Sequence, residues 1–306
     1  MRLRKAVIPA GGWGTRLLPA TKAQPKEMLP IVDKPVIQYA VEEAAASGVQ
    51  DILFVLSRGK EAIMDHFDRN LGLEQELMEK MRVDLLAVVR DTARLANCFF
   101  VRQPEMKGLG DAIRYAQAFV GDEPFAILLP DDVIDAPIPC LKQLATVQSA
   151  CGGSVLAVQP VERSAVSRYG VIRPGTIIGP SSVQVTGLVE KPHPEAAPSN
   201  LAVVGRYILS PRIFHHLRDL PPGHGGEVQL TDALQRLLAQ EAVYACRFLG
   251  SRFDVGNPLG FVEANLHFAL GRKQLRPALQ AYLQGLTELE RSNPENAISR
   301  PSWAGR

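Results

Sequence analysis

The chain has 306 residues, of which 46% are hydrophobic and 22% are charged, and Lys+Arg 34 against Asp+Glu 32 give a net charge of +2. This is the composition of a globular protein with enough apolar surface for a sizeable core, which excludes a mostly disordered chain. So small a charge excess argues against a nucleic-acid or membrane-surface partner, and any anion site must be local.

The first half of the chain alternates apolar, strand-like runs with helix-like spacing of apolar residues. Strands are predicted over residues 3–9, 51–56, 98–102 and 125–129, and helices over residues 36–47 and 109–120. Strand, helix and strand in succession are typical of βαβ units, which pair in parallel through right-handed crossovers. The sequence therefore predicts an α/β fold with a Rossmann-like, doubly wound core.

The sequence pattern changes after Gly153, where short runs rich in β-branched residues are separated by Pro, Gly and Ser. These runs predict an extra β portion that makes the sheet mixed. C-terminal helices are predicted from the patterns over residues 230–238, 259–270 and 274–289. We predict one domain over residues 1–290, in parts of about 1–150, 151–257 and 258–290, followed by a flexible tail over residues 291–306.

Two further features bear on the location of the protein. No apolar run approaches the roughly 20 residues of a membrane span, and the N-terminal apolar stretch, broken by Pro9, is too short for a signal peptide. We therefore expect a cytoplasmic protein.

The cysteines lack CxxC or metal-ligand spacing and are expected to be buried, reduced thiols: Cys98, Cys140, Cys151 and Cys246.

About 25 residues join the first predicted strand to the first predicted helix, far more than the usual 2 to 6 or so. Gly11, Gly12 and Gly14 lie directly after the strand, where open α/β sheets bind ligands and where glycine lets backbone N–H groups approach phosphate. Leu17 breaks the dinucleotide pattern GxGxxG, and no Walker A sequence follows. The basic, proline-rich segment predicts a long phosphate loop, with a solvated basic loop as the alternative.

The same segment, GGWGTRLLPATKAQPKEMLPIVDKPVIQYAVEEA at residues 11–44, resembles bacterial UTP–glucose-1-phosphate uridylyltransferases. The resemblance covers nearly the whole chain and thins between residues 68 and 96 and after residue 270. Further motifs that carry it are VRQ at 101–103, KGLGDA at 107–112, LLPDD at 128–132, RYGVI at 168–172, VEKP at 189–192, APSNLAVVGRYIL at 197–209, GGEVQLTDAL at 225–234 and FDVGNPLGF at 253–261.

The resemblance implies a single nucleotidyltransferase domain, with nucleotide-binding, sugar-binding and C-terminal helical parts in chain order. It implies Mg²⁺-dependent transfer of a uridylyl group from UTP to glucose 1-phosphate by direct attack on the α-phosphate, giving UDP-glucose and pyrophosphate. It also implies a homo-oligomer, either a dimer or a tetramer.

The resemblance assigns catalytic roles to Arg16, which would hold the triphosphate, and to Lys26, which would contact the reacting phosphates. Asp131, at the end of a predicted strand, would hold Mg²⁺, with Asp254 as a possible second ligand. The residues implied in nucleotide binding are Ala10, Gly11, Gly12, Glu27, Gln103, Gly108 and Asp131. An amide such as Gln103 offers both a donor and an acceptor, as a uracil edge demands. Glu27 fits a surface salt bridge equally well.

Sugar-phosphate binding is implied for Gly170, Glu190, Lys191 and main-chain Val203. Glu190 can accept hydrogen bonds from two hydroxyls, and Lys191 can pair with the sugar phosphate. The segment GGEVQLTDAL reads as a loop that enters a helix, with Thr231 as the expected N-cap. Its link to the sugar pocket is expected to be indirect.

One departure from the family concerns Asp111, which stands where the family usually has His. A carboxylate near a triphosphate would repel the phosphates unless it faces away or meets a metal or an arginine. Three alternative functions stay open: a thymidylyltransferase that uses dTTP, a catalytically inactive sensor of nucleotide sugars, and an NAD-dependent dehydrogenase, which Leu17 disfavours.

Overall fold

The protein, seen in a computed structural model that describes residues 3–292, is built on a nine-stranded sheet in the order β5-β4-β1-β6-β11-β8-β12-β10-β9. Two further pairs, β2 with β3 and β7 with β13, lie beside it. The strands are β1 (Lys5–Ala10), β2 (Pro30–Ile31), β3 (Lys34–Pro35), β4 (Asp51–Leu56), β5 (Asn97–Arg102), β6 (Phe125–Leu128), β7 (Asp132–Asp135), β8 (Ser154–Pro160), β9 (Gly170–Gly179), β10 (Ser182–Glu190), β11 (Leu201–Leu209), β12 (Val243–Arg247) and β13 (Ser251–Asp254).

Helices cover both faces of the sheet, and two more follow the last strand. They are α1 (Val36–Ala46), α2 (Glu61–Phe67), α3 (Leu71–Glu79), α4 (Val83–Thr92), α5 (Leu109–Arg114), α6 (Gln117–Val120), α7 (Cys140–Cys151), α8 (Ile213–Arg218), α9 (Leu230–Leu237), α10 (Pro258–Gly271) and α11 (Arg276–Ser292). Within residues 3–292, no helix is both long and apolar enough to cross a lipid bilayer.

The first half of the sheet is parallel, as the alternating pattern predicts. Strand β1 pairs in parallel with β4 and β6, and β4 pairs in parallel with β5. Their side chains alternate between the two faces, so that Val7 packs with α5, α8 and α9 while Ile8 packs with α1 and α7. Because both faces are covered, the central strands read as nearly continuous apolar runs.

The second half is mixed, which confirms the prediction of an extra β portion after Gly153. Strand β11 is antiparallel to both β6 and β8, and β10 is antiparallel to β9 and β12, whereas β8 and β12 are parallel. The doubly wound mixed sheet is thus confirmed, and the carboxyl ends of β1, β4, β5 and β6 meet along one edge of it.

Several predicted boundaries differ from the structure. The helix predicted over residues 109–120 is two helices, because the N–H groups of Tyr115 and Ala116 bond to carbonyls three residues back and tighten the chain between α5 and α6. Helix α11 extends to Ser292, past the predicted domain end, and the rest of the predicted tail, residues 293–306, lies outside the described residues. All four cysteines are free thiols, and Cys140 and Cys246 are buried.

Candidate active site

The edge where the parallel strands end opens into a cavity of about 280 Å³. Ala10 ends β1 immediately before the glycines of the phosphate loop. Of the residues implied in catalysis and nucleotide binding, those that line the cavity are Gly11, Gly12, Lys26, Glu27, Gln103, Gly108 and Asp131. The structure therefore brings residues that are up to 120 positions apart into one site, as strands that share a carboxyl edge allow.

The phosphate loop is compact, because three short 3₁₀ turns at Thr15–Leu17, Ala20–Lys22 and Lys26–Met28 fold it back onto the sheet. Gly14 stands at a φ of 70°, and a Cβ there would lie 3.0 Å from the Cβ of Lys26. The glycine is required both by its left-handed backbone and by this close approach. Gly14 thus leaves room for the side chain of Lys26, which lines the cavity.

Lys26 and Asp131 form an ion pair at the cavity wall, with Nζ 2.7 Å from Oδ2. Burial alone would lower the pKa of Lys26, but the carboxylates of Asp131 and Glu27 raise it above its ordinary value. Burial would conversely raise the pKa of Asp131, and the Lys26 ammonium holds it below its usual range. Both groups are therefore charged at neutral pH.

Glu27 is not a surface residue, since only 1% of it is exposed. It pairs with the buried Lys60 at 2.7 Å, and Lys60 also donates to the carbonyl oxygen of Gly12 at 2.9 Å. Burial raises the pKa of Glu27 despite both neighbouring lysines. Lys60 follows β4 at the same sheet edge and holds the glycine backbone in place, a role that the sequence analysis does not assign.

Arg16, the second implied catalytic residue, lies exposed on the Thr15–Leu17 turn and does not line the cavity. Among residues 3–288, where side chains are described, the side chain of Arg16 has no hydrogen bond or ion pair. Its positive charge repels the Lys26 ammonium and so acts to lower the pKa of Lys26. The structure thus brings Lys26, but not Arg16, into the cavity.

Gly108 and Gln103 also line the cavity. Gly108 has a φ of 103°, and a Cβ there would lie 2.8 Å from the carbonyl oxygen of Val228. Val228 in turn bonds through its own backbone to Lys107 at 2.7 Å and to Gly110 at 2.8 Å. The segment GGEVQLTDAL therefore packs directly against the part of the cavity wall that Gly108 forms.

Asp111 does not face an open phosphate site. It is buried, its Oδ2 accepts from Nε2 of Gln103 at 2.7 Å, and its Oδ1 lies 3.4 Å from Nη1 of Arg114. Pairing with an arginine is one way to avoid repulsion of the phosphates, and the structure pairs Asp111 with Arg114.

A second cluster, formed by Gly170, Glu190, Lys191 and Thr231, corresponds to the implied sugar site. Thr231 donates to Oε2 of Glu190 at 2.6 Å, and Nζ of Lys191 lies 3.4 Å from Oε1 of Glu190. A Cβ on Gly170 would lie 2.8 Å from the Thr231 hydroxyl. The side chain of Val203 is buried in the core.

The predicted N-cap role of Thr231 is wrong. Helix α9 begins at Leu230, its N-cap position is Gln229, and no side chain caps it. The Thr231 hydroxyl bonds to Glu190 instead, on a strand 41 positions earlier in the chain. The link between this segment and the candidate sugar cluster is therefore direct.

The two clusters are joined through Arg168 and Tyr169. Arg168 donates to Oδ2 of Asp254 at 3.0 Å. The guanidinium of Arg252 lies 5.2 Å from the centre of the Tyr169 ring and donates through Nε to Asp132 at 2.6 Å. Arg252 is a second cation that sequence reasoning missed, and it anchors Asp132, the neighbour of Asp131.

Both candidate metal ligands lie close to Gly256, where a Cβ would be 3.2 Å from Oδ2 of Asp131 and from Oδ1 of Asp254. The two carboxylate oxygens, Oδ2 of Asp131 and Oδ1 of Asp254, are therefore no more than twice 3.2 Å apart. Among residues 3–288, the part of the chain whose side chains are described, no cluster of three or more His, Cys, Asp or Glu is suited to a metal. One or two carboxylates, completed by substrate phosphates and water, are what Mg²⁺ usually takes, so these residues fit that ion.

Comparisons with known proteins agree over nearly the whole chain. A family model described as nucleotidyl transferase matches residues 5–270. A UTP–glucose-1-phosphate uridylyltransferase of Staphylococcus epidermidis is 50% identical over 285 residues, which are 93% of this chain and 99% of that protein.

Solved structures give the same result. A UTP-bound UGPase from Acinetobacter baumannii matches with a TM-score of 0.85 and 37% identity over 92% of this chain and 99% of its own. A UDP-glucose pyrophosphorylase complexed with UDP-glucose matches with a TM-score of 0.81 and 40% identity over 88% of this chain and 100% of its own. The chain therefore belongs to the nucleotidyl transferase family and, within it, to the UTP–glucose-1-phosphate uridylyltransferases.

Proposed function

We propose that the chain transfers a uridylyl group from UTP to glucose 1-phosphate, with Mg²⁺, and releases pyrophosphate. The observation that carries this proposal is one cavity at the carboxyl ends of parallel strands that is lined by both the Lys26–Asp131 ion pair and Gln103. Membership of the uridylyltransferases supports the choice of substrates.

The reaction joins two anions, so the chain must neutralise and align them, and no covalent nucleophile is needed. Lys26 keeps its proton because its pKa is raised, which makes it a source of positive charge and not a base. We assign it to the reacting phosphate oxygens. Arg16, exposed at the loop surface, is assigned to the triphosphate and the departing pyrophosphate.

Asp131, together with Asp254, would hold the magnesium ion. Bound Mg²⁺ would neutralise charge on the phosphate oxygens. The nucleotide base is assigned to Gln103, Gly108 and the backbone of residues 10–12, with Glu27 behind them. The sugar phosphate is assigned to Glu190, Lys191, Gly170 and main-chain Val203, the cluster that Arg168 and Tyr169 join to the metal ligands.

The direct test is release of pyrophosphate from purified protein given glucose 1-phosphate, Mg²⁺ and one nucleoside triphosphate at a time. We expect turnover with UTP, its loss with EDTA and its return with excess Mg²⁺. At the base, dTTP differs from UTP by one added methyl group, which is worth only about 1 to 3 kcal/mol, so the base alone should weaken the use of dTTP without preventing it. Turnover with dTTP exceeding that with UTP would make the chain a thymidylyltransferase. Nucleotide binding without any turnover would make it a sensor.

The sugar assignment is tested by Thr231→Val. The change removes the hydrogen bond of 2.6 Å that orients Glu190, and a hydrogen bond to a charged group contributes roughly 1.5 to 3 kcal/mol. We expect KM for glucose 1-phosphate to rise about tenfold or more, while KM for UTP changes little. Thr186→Val on strand β10, which removes an exposed bond to the carbonyl of Arg173, is the matched control. Equal effects on both substrates would contradict the assignment.

A further inference from the structure

The buried carboxylate of Asp111 has no role in the reaction as assigned, yet it contacts the one side chain assigned to the base. We propose that Asp111 is a positioning residue that fixes the Gln103 amide with its carbonyl oxygen toward the nucleotide, so that the site selects a pyrimidine whose N3 carries a hydrogen. This inference rests on the proposed function, since it concerns the base that the same cavity accepts.

The orientation of the amide follows from the chemistry of its partner. An ionised carboxylate can only accept hydrogen bonds, so the atom of Gln103 that lies 2.7 Å from Oδ2 of Asp111 must be its NH₂ group. The carbonyl oxygen then lies on the other side, 3.2 Å from the position that a Cβ of Gly11 would take. Gly11 lines the cavity, so the free acceptor of Gln103 lies next to the cavity wall that Gly11 forms.

Asp111 is itself held in place. Only 6% of it is exposed. Arg114, which faces its second oxygen, is anchored by a further bond of 3.0 Å to the carbonyl oxygen of Arg218. The preceding Gly110 bonds through its N–H to Val228. Gln103 therefore has a fixed partner on its NH₂ side and cannot turn its amide over without placing its carbonyl oxygen against the Asp111 carboxylate, which leaves both acceptors unpaired.

A fixed acceptor discriminates between pyrimidine edges. The N3 of uracil carries a hydrogen that can be donated to the Gln103 oxygen, whereas the N3 of cytosine is an acceptor and would face that oxygen lone pair to lone pair. A site built to make a hydrogen bond rejects analogues that cannot complete it. Thymine has the same N3–H as uracil, so this device should reject CTP but not dTTP.

The variant test is Asp111→Asn, which keeps size but offers both a donor and an acceptor, so Gln103 can turn over. We expect the ratio of kcat/KM for UTP to that for CTP to fall at least fivefold, through KM for the nucleotide, with KM for glucose 1-phosphate unchanged. Asp84→Asn, at an exposed carboxylate on α4, is the matched control. In a Gln103→Leu background, Asp111→Asn should have no further effect on the ratio, because the residue it positions is gone.

An unchanged UTP-to-CTP ratio in Asp111→Asn, or an equal loss of kcat with both nucleotides, would overturn the proposal. A second measurement needs no variant: calorimetric binding of UTP, CTP and N3-methyl-UTP to the wild-type protein. CTP and the methylated analogue should both bind at least tenfold more weakly than UTP, and equal binding of CTP would refute the inference. If UTP binds selectively to the wild type and less selectively to Asp111→Asn but no turnover occurs, the proposed reaction fails while the role of Asp111 stands.

Discussion

Lys26→Met is expected to lower kcat about 10² to 10³-fold, the loss typical when one preorganised donor to transition-state charge is removed. The Lys26 ammonium is fixed at the cavity wall, 2.7 Å from Asp131, and its raised pKa keeps it charged. Met has a similar length and apolar stem, so the packing of the loop against Gly12 and Gly14 is retained. KM for UTP should change less than kcat, because the charge matters most as the reacting phosphate is transferred.

Steady-state kinetics of pyrophosphate release measure this effect, and Lys142→Met, at an exposed lysine on α7, is the matched control. The same variant leaves Asp131 without its lysine, so binding of Mn²⁺ in the absence of nucleotide, followed by electron paramagnetic resonance, should become tighter. If kcat were unchanged while Mn²⁺ binding tightened, Lys26 would be only a structural partner of Asp131.

The parallel half of the fold and the location of the cavity could be predicted from the sequence because both depend on local patterns. An apolar run that ends at a glycine or an aspartate identifies the carboxyl end of a strand, as at Gly11 and Asp131. Since parallel strands share that edge, the residues after β1, β5 and β6 had to converge. The structure agrees for Lys26, Gln103 and Asp131.

The partners of those residues could not be predicted in this way. Lys60 pairs with Glu27 across 33 positions, Arg252 with Asp132 across 120, and Arg206 with Glu43 across 163. The spacing of apolar residues along the sequence does not reveal such pairings, since each depends on which elements become neighbours in the folded protein. The N-cap prediction for Thr231 failed for the same reason. A threonine near the start of a helix favours capping, whereas the partner of this one lies on a distant strand.

The assembly as a dimer or tetramer, the cytoplasmic location and the division into three parts stay predictions of the sequence. The position of Asp111 illustrates a different limit. Residue type alone predicts repulsion of phosphate, whereas the contact with Gln103 and Arg114 gives the same carboxylate a role in orienting an amide. Charge on a side chain indicates function only when its partners are known.

The largest effect on stability is expected from Arg206→Met. Arg206 is fully buried, and its guanidinium donates to Oε2 of Glu43 at 2.8 Å and to the carbonyl oxygen of Leu129 at 3.0 Å. Burial alone would lower the pKa of Arg206, but Glu43 raises it above its ordinary value. Removing one member of a buried pair leaves an uncompensated charge and costs roughly 3 to 5 kcal/mol. Urea unfolding followed by circular dichroism should show this loss.

A second variant separates loss of pairing from loss of packing. Glu43 also accepts from the backbone N–H of Leu141 at 2.9 Å, a bond that Gln can keep. The double variant Arg206→Met/Glu43→Gln buries no lone charge, so it should be more stable than Arg206→Met alone. Arg102→Met, at an exposed pair with Glu61, should barely move the urea midpoint. If the double variant lost as much stability as the two single changes together, the cost would lie in packing. Arg206 also donates to Leu129, two residues before Asp131. A gain in stability for the double variant would therefore mean that the charge balance of the buried pair between α1 and β11 determines how firmly the chain after β6 is held.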